Sequence, residues 1–269
     1  MSANWFNGEL VATTLSLDVG DRGFLLGDGV FETVAVNHGK AIWLTEHLAR
    51  LSKAASELGI VVDFSKISSG IEQVLGQHAN VTEVLRISVS RGATSRGLAA
   101  EGLSPSILIS LNVFDLMAQP QTFRLATSTI RRNETAPSSR LKTLSYIDAI
   151  AAAREVKDHA DDALMLSSAG FVASTSVGNI FLMRGSELVT PGLDQGILPG
   201  ITRAKILELE DWNMRETSIH PSDMHEADAV FVTNSLRLLT PVISLDGKTL
   251  GQRPLDGLKR KLNTLTGRI

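Results

Sequence analysis

Short β-prone segments come in a run in the second half of the sequence, and this pattern limits the possible folds. The segments are predicted at 163–168, 171–175, 179–183 and 188–190. Tight turns at Ala169-Gly170 and Arg184-Gly185 join neighbouring segments as hairpins. Strands that come in runs, with helices before and after them, favour an α+β fold over a repeated βαβ arrangement.

Chain length and an interruption in the pattern predict two domains. With 269 residues, of which 43% are hydrophobic, the chain can bury a large core. The first half predicts a strand pair around Asn7-Gly8, two amphipathic helices, the first capped by Thr45, and two longer strands. We predict a small N-terminal α/β sandwich domain over 1–114, a linker over 115–121 and a large C-terminal domain over 122–269.

Charge and cysteine usage narrow the classes of partner and chemistry. The 26 basic and 29 acidic residues leave a net charge of -3, which gives no electrostatic case for nucleic acid or an anionic membrane. The sequence contains no cysteine, so we expect no disulfide, thiolate nucleophile or cysteine-bound metal. No apolar stretch is long enough to span a bilayer, and the N-terminus does not resemble a signal segment. We expect a cytoplasmic protein with a small-molecule partner and no metal site.

Lys142 is the strongest candidate for covalent chemistry. A predicted helix follows it at once, because Tyr146, Ala149 and Ile150 recur at helical spacing. The positive end of a helix disfavours an ammonium and favours a neutral amine that can form a Schiff base. The alternative is a lysine that merely begins an exposed helix.

Several other stretches predict anion binding or a lined cavity. Amides at Gly200 to Thr202 open a helix and suit a phosphate, unless Thr202 only caps that helix. The turn Thr233-Asn234-Ser235 offers further hydrogen-bond donors.

Arg91 and Arg96 lie among glycines and suit the binding of carboxylates, with a solvated hairpin as the alternative. The glycine-rich stretch 21–33 fits neither a dinucleotide fingerprint nor a P-loop, but it leads into a strand that can turn Phe31 or Thr33 toward a cavity. Arg50, at the border of an apolar helix stripe, could point into a site or only snorkel.

Five landmarks occur in a specific order and spacing. They are 21–33, His47-Leu48-Ala49-Arg50-Leu51, Lys142, Gly178-Asn179-Ile180-Phe181 and 196–203. Together they resemble the class IV aminotransferase family, the pyridoxal-phosphate proteins of fold type IV. This resemblance implies an α+β, D-amino-acid-aminotransferase-like fold, with an antiparallel-sheet N-terminal domain and a strand-rich, barrel-like C-terminal domain. It also implies a homodimer.

The resemblance assigns roles to individual residues. Lys142 would hold pyridoxal 5'-phosphate as a Schiff base, and Arg50 would be the main phosphate contact. The amides of Ile201 and Thr202 and the Asn234-Ser235 turn would complete the phosphate site. Tyr146 would reach the phenolic oxygen of the cofactor. For the substrate, Phe31 and either Arg91 or Arg96 are the candidates.

Within the family, the segment 233–237 resembles the turn of aminodeoxychorismate lyases, and Thr33 matches a threonine of the lyase active site. The predicted function is therefore a lyase of the folate branch that converts 4-amino-4-deoxychorismate to 4-aminobenzoate and pyruvate, with Lys142 and Thr33 as catalytic groups. Two alternatives are an aminotransferase for branched-chain, aromatic or D-amino acids, and a weakly active or inactive cofactor-binding homologue.

Three departures from the family pattern motivate the second alternative, a weakly active or inactive homologue. Leu26 stands where an aromatic residue is usual, Ala35 where many members have arginine, and Ser174 where the family has glutamate. A serine hydroxyl can share a hydrogen bond with the pyridine nitrogen of the cofactor but cannot balance a pyridinium charge. We expect the cofactor to be a weaker electron sink here.

Overall fold

A computed structural model of the chain describes residues 3–77, 82–99, 104–116 and 118–268. The chain divides into two compact units. Unit 1 consists of Met1–Leu116 and Leu141–Tyr146, and unit 2 consists of Met117–Arg140 and Ile147–Ile269. The segment that carries Lys142 therefore belongs to unit 1, although it lies within the second half of the sequence. The predicted domain ranges and the linker stay predictions, and Met117 of that linker lies outside the described residues.

Unit 1 combines one sheet with three helices among the described residues. The strands are β1 (Ala3–Phe6), β2 (Glu9–Val11), β3 (Gly29–Asn37), β4 (Lys40–Ala41), β5 (Glu83–Ser90) and β6 (Ser106–Val113), and the helices are α1 (Arg22–Leu26), α2 (Leu44–Glu57) and α3 (Phe64–Leu75). The strand order is β2-β1-β6-β5-β3-β4, and all neighbours are antiparallel.

One face of this sheet forms the core of unit 1 with α2 and α3. Alternate residues of β3, such as Val30 and Val34, are fully buried against apolar side chains that include Leu51 of α2 and Ile67 of α3. Because side chains alternate along a strand, Phe31 and every second residue from it, such as Thr33, lie on the opposite face. The sheet thus has a core face and a second face that carries candidate site residues.

Unit 2 contains the remaining strands and helices of the described chain. The strands are β7 (Phe123–Arg132), β8 (Asp162–Ser167), β9 (Val172–Thr175), β10 (Asn179–Arg184), β11 (Glu187–Thr190), β12 (Asn213–Glu216), β13 (Ala229–Thr233), β14 (Thr240–Leu245) and β15 (Lys248–Thr249). The helices are α4 (Pro137–Arg140), α5 (Ile147–Val156), α6 (Ile201–Leu207), α7 (Asp223–Glu226) and α8 (Asp256–Thr266), with a 3-10 helix at Leu193–Gln195.

The sheet of unit 2 closes into a barrel of six strands. Its order is β12-β11-β10-β13-β14-β7-β8-β9, and β9 also pairs with β10, which closes the ring from β10 to β9. Most neighbours are antiparallel, whereas β7 runs parallel to both β8 and β14. Closure removes exposed strand edges from the ring, and apolar side chains such as Phe123, Leu164 and Val230 are buried there.

The predicted α+β class, with an antiparallel N-terminal sheet and a barrel-like C-terminal part, is confirmed. One short helix was not predicted, and one local prediction is wrong. A short helix, α1, interrupts the glycine-rich stretch, because Asp21 accepts hydrogen bonds from the amides of Gly23 and Phe24 and so caps it. Trp43, in a left-handed conformation, and not Thr45, occupies the N-cap position of α2, and its side chain makes no capping hydrogen bond. Among the described residues, the helices are too short or too polar to cross a membrane.

Candidate active site

The backbone around Lys142 is fixed to β3 within unit 1. The Phe31 amide donates to the carbonyl of Lys142 at 2.9 Å, and the Leu144 amide donates to the carbonyl of Gly29 at 2.8 Å. A Cβ atom at Gly29 would lie 2.6 Å from the Leu144 side chain and 2.4 Å from the Val89 carbonyl oxygen, so only glycine allows this approach. Lys142 is therefore positioned by backbone pairing. The helix predicted to follow it at once begins only at Ile147, so the predicted start of that helix is wrong.

Two aromatic rings surround the amino group of Lys142. Its Nζ lies 4.3 Å from the ring centroid of Phe31 and 5.4 Å from that of Tyr146. The two rings meet edge to face, with centroids 5.3 Å apart. Tyr146 is the only tyrosine of the chain. The structure thus brings three predicted site residues together, with the amine held against apolar ring faces.

A buried charged network lies on the core side of β3. The Glu32 carboxylate accepts hydrogen bonds from Arg50 Nε at 2.7 Å and Arg50 Nη2 at 2.8 Å, and Nδ1 of His47 lies 2.6 Å from Glu32 Oε2. The side chains of Glu32 and His47 are fully buried. Because an ionised carboxylate can only accept, Nδ1 of His47 carries the proton in this contact.

The network sets the charge states of its members. Burial alone would raise the pKa of Glu32, but the hydrogen bonds from Arg50 and His47 outweigh it and lower that pKa to about 2. Burial lowers the pKa of His47. At neutral pH the network is therefore an ionised Glu32 and Arg50 beside a neutral histidine. The geometry holds Arg50 in place on α2; its contact with a phosphate stays a prediction.

Thr33 and Arg86 face each other across β3 and β5 on the second face of the sheet. The guanidinium carbon of Arg86 lies 4.0 Å from the ring centroid of Phe31. Arg86 was not among the residues predicted for the site. The alternation of apolar and polar residues along β5 is a sequence signal that points to Arg86. Leu85 and Ile87 are buried in the core, so Arg86 between them lies on the opposite face.

The two loop arginines differ in their surroundings. Arg91 donates to both oxygens of Asp28, at 2.8 Å and 3.1 Å, and to the carbonyls of Leu58 and Gly59 at 2.7 Å and 3.1 Å. A substrate contact by Arg91 would require it to give up part of this set. Arg96 is exposed. Substrate binding by either residue stays a prediction.

Ser174 lies on β9 of unit 2 and is buried. Its hydroxyl oxygen accepts a hydrogen bond from Arg132 Nε at 3.2 Å. A hydroxyl that accepts from a guanidinium still has its own hydrogen to donate. The permanent positive charge of Arg132 also disfavours a second cation nearby. This position therefore suits an unprotonated, accepting nitrogen better than a pyridinium.

The predicted phosphate residues of unit 2 meet around Asn179. Asn179 pairs with Thr233 across β10 and β13, and its side chain donates to the carbonyl of Leu198 at 2.9 Å. Gly200 begins α6, and a Cβ atom there would lie 2.0 Å from Asn179 Oδ1. The hydroxyls of Thr202 and Thr233 are buried without a hydrogen-bond partner among the described residues. Thr202 does not cap α6, so that alternative is wrong.

Asn234 uses its side chain to build the turn that it begins. Its Oδ1 accepts the amides of Leu236 at 3.1 Å and Arg237 at 2.9 Å. Its Nδ2 donates to the carbonyl of Val177 at 3.4 Å. Any contact of this turn with a phosphate would therefore come from backbone amides or from the neighbouring, half-buried Ser235.

The sequence model of the family described as Amino-transferase class IV matches residues 29–245 of this chain. The chain belongs to the class IV aminotransferases. Branched-chain-amino-acid aminotransferase-like protein 2 of Arabidopsis thaliana is 31% identical, and the match covers 96% of this chain but only 48% of the plant protein. Aminodeoxychorismate lyase of Bacillus subtilis is 29% identical, with 87% of this chain and 83% of that protein covered. The crystal structure of 4-amino-4-deoxychorismate lyase from Pseudomonas aeruginosa is 29% identical and covers 97% of this chain and 98% of its own, with a TM-score of 0.84.

As a class IV aminotransferase, the chain is a pyridoxal-phosphate-dependent enzyme that acts on small-molecule amino substrates. The residues of each unit fit this cofactor. Unit 1 supplies a positioned primary amine in Lys142. Unit 2 supplies the unpartnered buried hydroxyls of Thr202 and Thr233, which can donate to a phosphate without losing another bond.

The first prediction concerns the acid sensitivity of the buried network. Because the pKa of Glu32 is lowered from 4.5 to about 2, its stabilisation is complete above pH 4.5 and is lost as the pH falls toward 2. A pKa depression of this size corresponds to a contribution of about 3 kcal/mol to the free energy of unfolding. In Glu32→Gln we expect the free energy of unfolding, measured by urea titration, to fall by that amount at pH 7. The difference from wild type should shrink between pH 4.5 and 2.

The matched control is Glu187→Gln, which removes a surface ion pair with Arg215. Surface pairs contribute little, so its stability should stay close to that of wild type across the same pH range. A constant difference between Glu32→Gln and wild type down to pH 2 would contradict the ionised network.

Proposed function

We propose that the enzyme is a lyase that converts 4-amino-4-deoxychorismate to 4-aminobenzoate and pyruvate. The observation that carries this proposal is the hydroxyl of Ser174, bonded to Arg132, at the position where the family resemblance places a glutamate. The similarity to lyases of Bacillus subtilis and Pseudomonas aeruginosa supports it. Thr33, on the same sheet face as Phe31, supports it as well.

Lys142 would act first as the covalent anchor of the cofactor and then as general base and acid. When bound, pyridoxal phosphate supplies an electron sink for the bonding pair of the substrate. Released from the cofactor, the Lys142 amine would remove the proton from the amine-bearing ring carbon. The ring C–O bond then breaks, its electron pair leaves with the oxygen, and the enolpyruvate takes up a proton to become pyruvate. The ring becomes aromatic.

The residues beside Lys142 would orient this chemistry. Phe31 and Tyr146 hold the amino group in place and limit the water that reaches it. Arg86 provides a fixed positive charge on the same face, next to Phe31, and suits a substrate that carries carboxylates. We assign Thr33, opposite Arg86, to the oxygen of the leaving group.

Ser174 would bias the enzyme toward elimination. Transamination needs the electron pair of the substrate to be stored until a proton arrives at a new carbon, and a pyridine nitrogen without charge compensation stores it poorly. Elimination depends less on storing the electron pair in the cofactor ring, because the leaving group takes that pair away. A hydroxyl partner therefore penalises transamination more than elimination.

The second candidate function is transamination of an amino acid. The 31% identity with a branched-chain aminotransferase-like protein of Arabidopsis thaliana favours it. Lys142 would have the same role in transamination as in elimination. The residues around the substrate must therefore discriminate between the two reactions. Conversion of the cofactor to its amine form by an amino-acid donor at a useful rate, with no release of 4-aminobenzoate from 4-amino-4-deoxychorismate, would favour this function.

The second prediction tests Lys142. Purified protein should show the visible absorbance of bound cofactor and should release equal amounts of pyruvate and 4-aminobenzoate. Lys142→Ala should lose that absorbance and reduce turnover by about a thousandfold or more, because base and anchor are removed together. The control Lys66→Ala, on the exposed side of α3, should retain both. Transamination without release of either product would rule out the lyase.

The third prediction tests the bias at Ser174. Ser174→Glu should raise the rate of the transamination half-reaction relative to elimination, because a carboxylate can stabilise a protonated ring nitrogen. Single-turnover rates of both reactions measure the ratio, and Ser186→Glu in an exposed turn is the control for added charge. A well-folded Ser174→Glu protein with an unchanged ratio would show that the serine does not direct the chemistry.

The fourth prediction concerns a homodimer, which we propose from an exposed apolar surface on unit 1. Val19, Phe24, Leu25, Leu26 and Leu98 form it, and their exposed fractions run from 52% for Leu26 to 90% for Val19. A second copy of the chain would cover them. Sedimentation velocity should give a dimer at micromolar concentration. Phe24→Glu should shift it toward the monomer, whereas Val61→Glu, at an exposed residue outside this set, should not. A fully active monomer would contradict the proposal.

A further inference from the structure

Asp28 lies at the centre of a cluster with Arg22 and Arg91, which we call the Asp28 cluster. Asp28 Oδ2 accepts hydrogen bonds from Arg22 Nε at 2.7 Å and from Arg91 Nε at 2.8 Å. Asp28 Oδ1 accepts a third from Arg91 Nη2 at 3.1 Å. The three side chains are 9% to 16% exposed, so water screens these contacts weakly.

The outer nitrogens of both guanidinium groups reach backbone carbonyls of distant segments. Arg22 donates to the carbonyls of Gly97 at 2.8 Å and Leu98 at 2.9 Å. Arg91 donates instead to the carbonyls of Leu58 and Gly59, which follow α2. One carboxylate thus orients two arginines, of which one ties the far part of the loop 92–99 to α1.

The side chain of Arg22 holds the far part of this loop in position, whereas other contacts hold its beginning. Near its start the loop is held by backbone contacts, namely a bridge between Asp21 and Ala93 and a hydrogen bond from the Arg22 amide to the Gly92 carbonyl. Arg96 lies beyond them and just before Gly97. The carbonyl contacts of Arg22 are therefore what fixes the chain around Arg96.

We propose that Asp28 is a positioning residue for substrate recognition: through Arg22 it holds the loop 92–99 so that Arg96 is kept at a fixed place. The recognition step rests on the proposed function, whereas the holding of the loop does not. Asp28 immediately precedes β3, whose first residues pair with the Lys142 segment. The cluster therefore ties the loop to the strand that also positions the amine.

Charge and geometry both require a carboxylate at position 28. Burial alone would raise the pKa of Asp28, but the hydrogen bonds and charges of Arg91 and Arg22 outweigh it and lower that pKa. Asp28 is thus ionised at neutral pH. An asparagine would turn an NH2 donor toward guanidinium donors, so Asp28→Asn loses hydrogen bonds without changing the side-chain volume.

Limited trypsin digestion measures the holding of the loop without any activity assay. The bond after Arg96 is a trypsin site, and Asp28→Asn neither adds nor removes such a site. We expect the rate of cleavage at Arg96, followed by the mass of the 1–96 fragment, to rise about tenfold in Asp28→Asn. Asp211→Asn, which removes the surface pair with Lys261, should leave it unchanged.

A second variant keeps the test decisive if Asp28→Asn folds poorly. Arg22→Lys retains the positive charge and the trypsin site, but one ammonium cannot reach Asp28 and both carbonyls together. Cleavage at Arg96 should rise in this variant as well. Unchanged cleavage at Arg96 in folded Asp28→Asn and Arg22→Lys overturns the proposal.

Steady-state kinetics with the amino substrate that the enzyme turns over then test the recognition step. In Asp28→Asn we expect KM to rise about tenfold with kcat changed less than threefold, because binding is lost and the Lys142 environment is kept. Faster cleavage at Arg96 with unchanged KM and kcat would support the holding of the loop and overturn its part in recognition. That outcome is distinct from failure of the lyase proposal, which is decided by the identity of the products.

Discussion

The backbone pairing between β3 and the segment Leu141–Tyr146 is the constraint on which the candidate site depends. Two hydrogen bonds, from Phe31 to Lys142 and from Leu144 to Gly29, bring a lysine from the second half of the sequence into unit 1. Backbone pairing fixes the Cα position of Lys142 independently of its side chain. The amine can therefore change its bonding during a reaction while its point of attachment stays in place.

The strand β3 carries two different environments on its two faces. Glu32 points into the core and ionises there only because Arg50 balances its charge and His47 donates a hydrogen bond to it. Phe31 and Thr33 point the other way, next to Lys142 and Arg86. A shift of one residue in the pairing of β3 with β5 would exchange these faces, burying Thr33 and expelling the charged network. The register of β3 thus decides both the stability of unit 1 and the identity of its functional face.

Buried polar groups divide into two kinds in this protein. The buried Glu32 and the half-buried Asp28 are satisfied by arginines and serve to fix other groups in position. Thr202 and Thr233 are buried without a hydrogen-bond partner among the described residues. An unsatisfied buried hydroxyl costs free energy, and a ligand that accepts its hydrogen bond recovers that cost on binding. The arrangement around Asn179 is consistent with a protein that is completed by an anionic group.

The sequence by itself determined the α+β class and most of the strands, and it selected Lys142 as the candidate amine, because alternation, turn dipeptides and motif spacing can be read from the residues without the fold. It missed β12 (Asn213–Glu216), which holds a single apolar residue, Met214, and so shows no apolar alternation. It also could not show that Arg91 is engaged by Asp28 or that Arg86 lies beside Phe31. Those contacts join residues that are tens of positions apart. Only the tertiary structure decided them, since the pairing of β3 with β5 and with the Lys142 segment chooses which charges and rings become neighbours.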